Sequence, residues 1–124
     1  MRPAIPADVR RFILMAVPSV PYLEAMLLLR GAGADGVDAG ALAAGLYIDA
    51  EAASALLEQL REAGVAGAAA ADGTIRYAPR EEVAALVDRL ARVYADNLIG
   101  VSMLIHSTSG QRAREDAISG RRDY

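Results

Sequence analysis

Cysteine is absent from the 124 residues, which removes disulfides, zinc–thiolate sites and thiol nucleophiles together. Lysine is absent too: all thirteen basic residues are arginine, a matter of codon bias with no functional weight. There is no tryptophan, and Phe12 with five tyrosines supplies all the aromatic bulk. The core must therefore come from small and aliphatic side chains, which suits closely packed helices. The single histidine, His106, has no second ligand type beside it in sequence, so no metal and no cofactor is expected. No apolar run approaches the ~18 to 20 residues of a membrane span. The stretch Phe12 to Val17 ends at Pro18 without a cleavage pattern, and the expectation is a cytoplasmic protein with no membrane contact. An excess of positive charge is also missing. The net charge of −3 argues against a hold on nucleic acid by bulk electrostatics, so any DNA contact must rest on a local patch.

What is present is a hydrophobic fraction of 54%, much of it alanine, in a chain of one-domain length. Val9, Phe12, Ile13, Ala16 and Val17 recur at helical spacing between Pro6 and Pro18, making residues 1–18 an N-terminal helical arm. A second helix follows Ser19 and stops at Gly31-Ala32-Gly33. Asp35 to Asp38 reads as a turn into a single bridge residue, after which Asp38 caps a short helix to Leu46. Asp49 caps the next helix, with Ala53, Leu56, Leu57 and Leu60 at core spacing and Gly64 at its end. Val65 to Ala70 and Thr74 to Ala78 flank Ala71-Asp72-Gly73, the pattern of a β-hairpin. Tyr47 and Tyr77 are expected to pack the turn and the wing against the core.

Residues 80–106 read as one long helix with two apolar seams. One is Val83, Leu86, Leu90, Val93, Asn97, Gly100 and Leu104; the other is Val87, Ala91, Tyr94, Leu98, Val101 and Ile105. A helix apolar on two sides predicts a second subunit, so a homodimer is expected, with Phe12, Val87, Tyr94, Leu98, Val101 and Ile105 as candidate interface residues. Asn97, polar within a seam, sets register or faces solvent. Residues 107–124 are polar and form the expected flexible tail.

This order, over residues 19–79, resembles the core of small bacterial winged helix-turn-helix transcriptional regulators of the broad MarR-like and ArsR-like group. Ala41-Leu42-Ala43-Ala44-Gly45-Leu46-Tyr47-Ile48 resembles their second helix and turn, and Leu56 to Val65 the ending of their recognition helix. The resemblance implies a mainly α fold with a small β-hairpin wing, an N-terminal helix and a long C-terminal dimerisation helix. It also implies a recognition helix in the major groove and a wing on phosphates. Carried onto this chain, the DNA-binding candidates are Ala50, Glu51, Ser54, Glu58, Arg61, Arg76 and Arg80.

The leading expectation is a homodimeric DNA-binding regulator. DNA is nonetheless disfavoured by the acidic helix, where Asp49 and Glu51 would face a polyanion; the usable cations sit elsewhere, at Arg2, Arg10 and Arg11, at Arg76 and Arg80, and at Arg112, Arg114, Arg121 and Arg122. The alternative is a protein–protein interaction module that uses this acidic face and binds no DNA. An enzyme is not expected, because no nucleophile, base and orienting group converge in a motif. Gly31, Gly33 and Gly36 match G-x-G-x-x-G, but they follow a helical pattern and no βαβ series succeeds them.

Overall fold

The structure is a computed structural model that describes residues 4–107. Five helices run in chain order: α1 (Ala7–Ala16), α2 (Val20–Ala32), α3 (Ala39–Leu46), α4 (Ala50–Glu62) and α5 (Glu81–Asp96). A sixth, α6, spans Leu98–Ser107. A short 3-10 turn, Gly33–Asp35, follows α2. The sequence-predicted tail lies outside the described residues apart from Ser107.

The expected wing is corrected by this architecture. The described residues hold no β-strand or sheet, so the fold is all-helical and not a winged helix-turn-helix. Only two isolated antiparallel bridges form, Val37 with Ile75 and Ala66 with Tyr77. Composition explains the shortfall. The first arm, Val-Ala-Gly-Ala-Ala-Ala over 65–70, has little of the β-branched or aromatic surface that stabilises a pleated pair. The Asp72-Gly73 turn does close, with Asp72 accepting from the Thr74 hydroxyl at 2.7 Å and from its N–H at 3.0 Å. A closed turn alone does not make a ladder.

The long C-terminal helix is also divided. Asn97 interrupts it, and the Asn97 side chain turns to accept the Gly100 N–H at 3.0 Å, acting as the N-cap of α6. A Cβ on Gly100 would fall 2.4 Å from Asn97 Nδ2, so the glycine gives the cap its room. Asn97 is buried, 9% exposed, and is thus a helix cap within the core.

The chain divides into two compact units, Pro21–Asp88 and the segments on either side of it. In Pro21–Asp88 the core is Leu23, Met26, Leu29, Leu42, Ala53, Leu57, Leu60 and Val87, all at most 3% exposed. Arg30 Nε meets Asp88 Oδ1 at 2.8 Å, joining α2 to α5. A Cβ on Gly45 would lie 2.6 Å from Leu28 Cδ1, a measure of how closely α3 approaches α2. Val9, Ile13, Val17, Leu90, Val101 and Ile105 are buried in the flanking unit. An ion pair between Asp8 and Arg89 joins α1 to α5 there.

Candidate functional site: the α3–α4 corner

α3 and α4 are set at 109° with three residues between them, the geometry of a helix-turn-helix. Each begins on an aspartate. Asp38 Oδ1 accepts the Ala41 N–H and Asp49 Oδ1 accepts the Ala52 N–H, both at 2.7 Å. These two caps satisfy orphan donors in the first turns and fix where each helix starts. Leu57 and Leu60 anchor α4 inward, and Gly64, at φ 79°, carries the chain out of it.

The turn between the helices is closed by Tyr47, which caps α3 in the left-handed region at φ 58°, ψ 43°. Its side chain is 95% exposed, contrary to the expected packing on the core. The Ile48 N–H reaches back to the Ala43 carbonyl at 3.1 Å, so the left-handed residue is required to complete the bonding that ends α3. Tyrosine lacks the steric freedom that glycine would have there. Tyr77, in contrast, is half-buried, and its hydroxyl is enclosed with no hydrogen-bond partner among the described residues.

All five sequence-predicted positions on α4, Ala50, Glu51, Ser54, Glu58 and Arg61, are exposed. The structure brings Glu58 and Arg61 together: Arg61 donates through Nε at 3.1 Å and through its terminal nitrogen to the other carboxylate oxygen. The Arg61 hydrogen bonds hold the Glu58 carboxyl below the usual carboxylate range and raise Arg61 in turn. The one cation of α4 is therefore engaged by its own helix. Asp49, Glu51 and Glu62 add to the negative charge of the exposed surface.

Arg76 and Arg80 are exposed on the connection between α4 and α5. Arg76 is held between the two bridges, with its carbonyl accepting the Gly67 N–H at 3.0 Å. Its Cγ passes 3.2 Å from where a Cβ on Gly36 would sit. Arg80 lies 3.8 Å from Glu82 with both side chains over 80% exposed, a contact of little energetic weight. A shallow cleft beside Arg80 is lined by Glu62, Gly64, Ala78 and Val83.

Of the candidate dimer residues, Val87, Val101 and Ile105 are fully buried within the chain, Phe12 and Tyr94 are half-buried, and Leu98 is 54% exposed. The large apolar side chains on the surface include Met15, Ile99 and Met103, which the seams did not select. Tyr47 was legible in one respect: Leu46-Tyr47-Ile48-Asp49 has a helix end and an N-cap with no glycine between them. No group of three or more metal-ligating side chains occurs among the described residues, and no single helix there is long and apolar enough to cross a membrane.

The chain matches no protein-family model, no curated protein and no solved structure.

Proposed function

We propose that this protein is a binding module, without catalytic activity, whose α3–α4 corner engages a basic protein surface and not DNA. The observation that carries the reading is the pairing of Arg61 with Glu58. With its only cation paired to Glu58, the outward surface of α4 leaves Asp49, Glu51 and Glu62 as uncompensated carboxylates for whatever docks on it. A polyanion meeting that surface would have to desolvate carboxylates against phosphates, whereas arginine or lysine side chains of a protein would find matched charge. Tyr47 stands exposed at the head of the same helix, and tyrosine is among the side chains that most often anchor protein interfaces.

DNA binding is the second reading, favoured by the 109° helix-turn-helix and by two exposed arginines, Arg76 and Arg80. One pair of titrations separates the two. An arginine-rich peptide added to isotopically labelled protein is expected to shift the amide resonances of 47–62, less so in high salt, and Glu51→Gln with Glu58→Gln is expected to weaken binding. Mixed-sequence duplex DNA is expected to leave the same resonances in place at low salt. Shifts with DNA that Arg76→Ala removes would overturn the protein-partner reading.

A further inference from the structure

Two shallow grooves lie on the unit built from the chain's outer segments, and each joins apolar side chains to charge of one sign. The first, about 320 Å³, runs along α1 and is lined by Ala7, Arg10, Arg11, Leu14 and Met15. Those positions follow i, i+3, i+4, i+7, i+8, a single stripe opposite the buried Val9 and Ile13. Met15 is 78% exposed at its end. The second groove, about 240 Å³, lies where α5 gives way to α6 and is lined by Ala95 to Ile99, including Asp96. Beyond it Ile99 and Met103, one turn apart on α6, are 51% and 65% exposed. Arg10, Arg11 and Asp96 make no ion pair among the described residues.

α6 has no Asp, Glu or Arg in its ten residues and is apolar on its outer as well as its inner side. A helix of that kind is normally covered. It lacks the length to span a bilayer, and an anionic lipid surface that suited Arg10 and Arg11 would find no matching charge in the Asp96 groove.

We infer that a second copy of this chain covers both grooves at once, with the α1 stripe of one protomer seated on the α5–α6 corner of its partner. The charges are complementary within one chain's own surface: two guanidiniums on one groove and a carboxylate on the other. Under a two-fold axis each such contact is made twice, because the partner's α1 stripe then meets this protomer's α5–α6 corner in the same way. Arg10 and Arg11 then face the partner's Asp96 at the rim, and Leu14 and Met15 meet the partner's Leu98, Ile99 and Met103 at the centre. The Asn97 cap sets the direction of α6 and so belongs to the same device. This inference concerns assembly and is independent of what the α3–α4 corner binds.

The test is the mass of the full chain by light scattering and sedimentation equilibrium at micromolar concentration. A dimer of twice 13.0 kDa is expected. Asp96→Arg alone, and Arg10→Asp with Arg11→Asp, are each expected to weaken it at least tenfold, and combining all three to restore it. Asp96 is exposed and ends α5, where an arginine suits the helix dipole, so this variant keeps the fold; circular dichroism verifies that. Leu98→Glu with Met103→Glu is expected to give a folded monomer. A wild-type monomer, a dimer indifferent to both the charge reversals and the glutamates, or a monomer that instead cosediments with anionic vesicles through Arg10 and Arg11 overturns the proposal.

Discussion

Replacing Tyr47 by glycine should make the protein more stable, although it deletes the largest side chain of the α3–α4 turn. At φ 58°, ψ 43° the residue sits where an L side chain crowds the following carbonyl, at a cost of roughly 1–2 kcal/mol. Glycine removes that cost but loses more backbone freedom on folding, about 0.5–1 kcal/mol. The ring offers no compensation, because at 95% exposure it buries almost no apolar area. The net gain is about 0.5–1 kcal/mol, equivalent to a rise in Tm of roughly 2–6 °C for a domain of this size. Tyr47→Ala is the control: it removes the ring and keeps the strained backbone, so its stability should stay within about 0.5 kcal/mol of the parent. Thermal and urea unfolding followed by circular dichroism read both variants. If alanine and glycine prove equally stable, the left-handed strain is not real; if both lose more than about 1 kcal/mol, the ring is packed and not exposed. In the arginine-rich peptide titration both variants should bind more weakly than the parent, so that stability and binding move in opposite directions at one residue, as expected of strain kept for function.

Gly36→Ala should cost about 1–3 kcal/mol in urea unfolding, since φ 70°, ψ −179° is a region almost confined to glycine. Its new Cβ would lie 3.0 Å from the Ile75 carbonyl oxygen, so hydrogen-exchange protection at Val37 and Ile75 should fall as well; unchanged protection would contradict the contact. Asp38→Ala and Asp49→Ala should each lose about 1 kcal/mol by the same assay, as each removes a side-chain bond to a first-turn N–H, and a neutral outcome would mean that solvent caps these helices equally well. In an NMR pH titration the Glu58 carboxyl should ionise below the usual carboxylate range and return toward it in Arg61→Gln. Because the folded pKa is the lower one, the stabilisation is present above the unfolded carboxylate pKa and is lost as pH falls through the folded value; a Glu58 titration unmoved by Arg61→Gln would remove the pair.

Helices and their caps could be read from the sequence because their determinants are local. Asp38 and Asp49 precede apolar runs and Gly64 follows one, and each does in the structure what its position implies. The wing could not, because strands depend on partners distant in sequence. Ile75 pairs with Val37 and Tyr77 with Ala66, so the short second arm divides its bonds between two neighbours and completes a ladder with neither. The break at Asn97 was obscured for a different reason. Apolar spacing continues through it, and periodicity registers faces but not a side chain that replaces one backbone bond. The usable clue was asparagine followed three residues later by glycine, an N-cap whose acceptor needs the space. The seams likewise identified apolar residues without telling inward from outward: Val101 and Ile105 went to the core while Ile99 and Met103, off both seams, reached the surface.

Charge on the α3–α4 corner yields the sharpest number. With Arg61 paired to Glu58 and Arg30 to Asp88, the exposed cations near this corner in sequence are Arg76 and Arg80, and two phosphate contacts per chain limit the slope of log K against log salt to roughly −2, or −4 for a dimer. Proteins held by six to ten contacts show slopes of roughly −5 to −9. Three carboxylates outside the Arg61–Glu58 pair, Asp49, Glu51 and Glu62, act against even that modest attraction. Duplex DNA binding at low salt should therefore be absent, or shallower in salt than −4 for a dimer, and Glu51→Gln with Glu62→Gln should increase it. The arginine-rich peptide should respond in the opposite sense, losing affinity with the same two substitutions. A steep slope for DNA that is unaffected by Arg76→Ala would place the cations elsewhere in the chain and sink the assignment of the corner as the working surface.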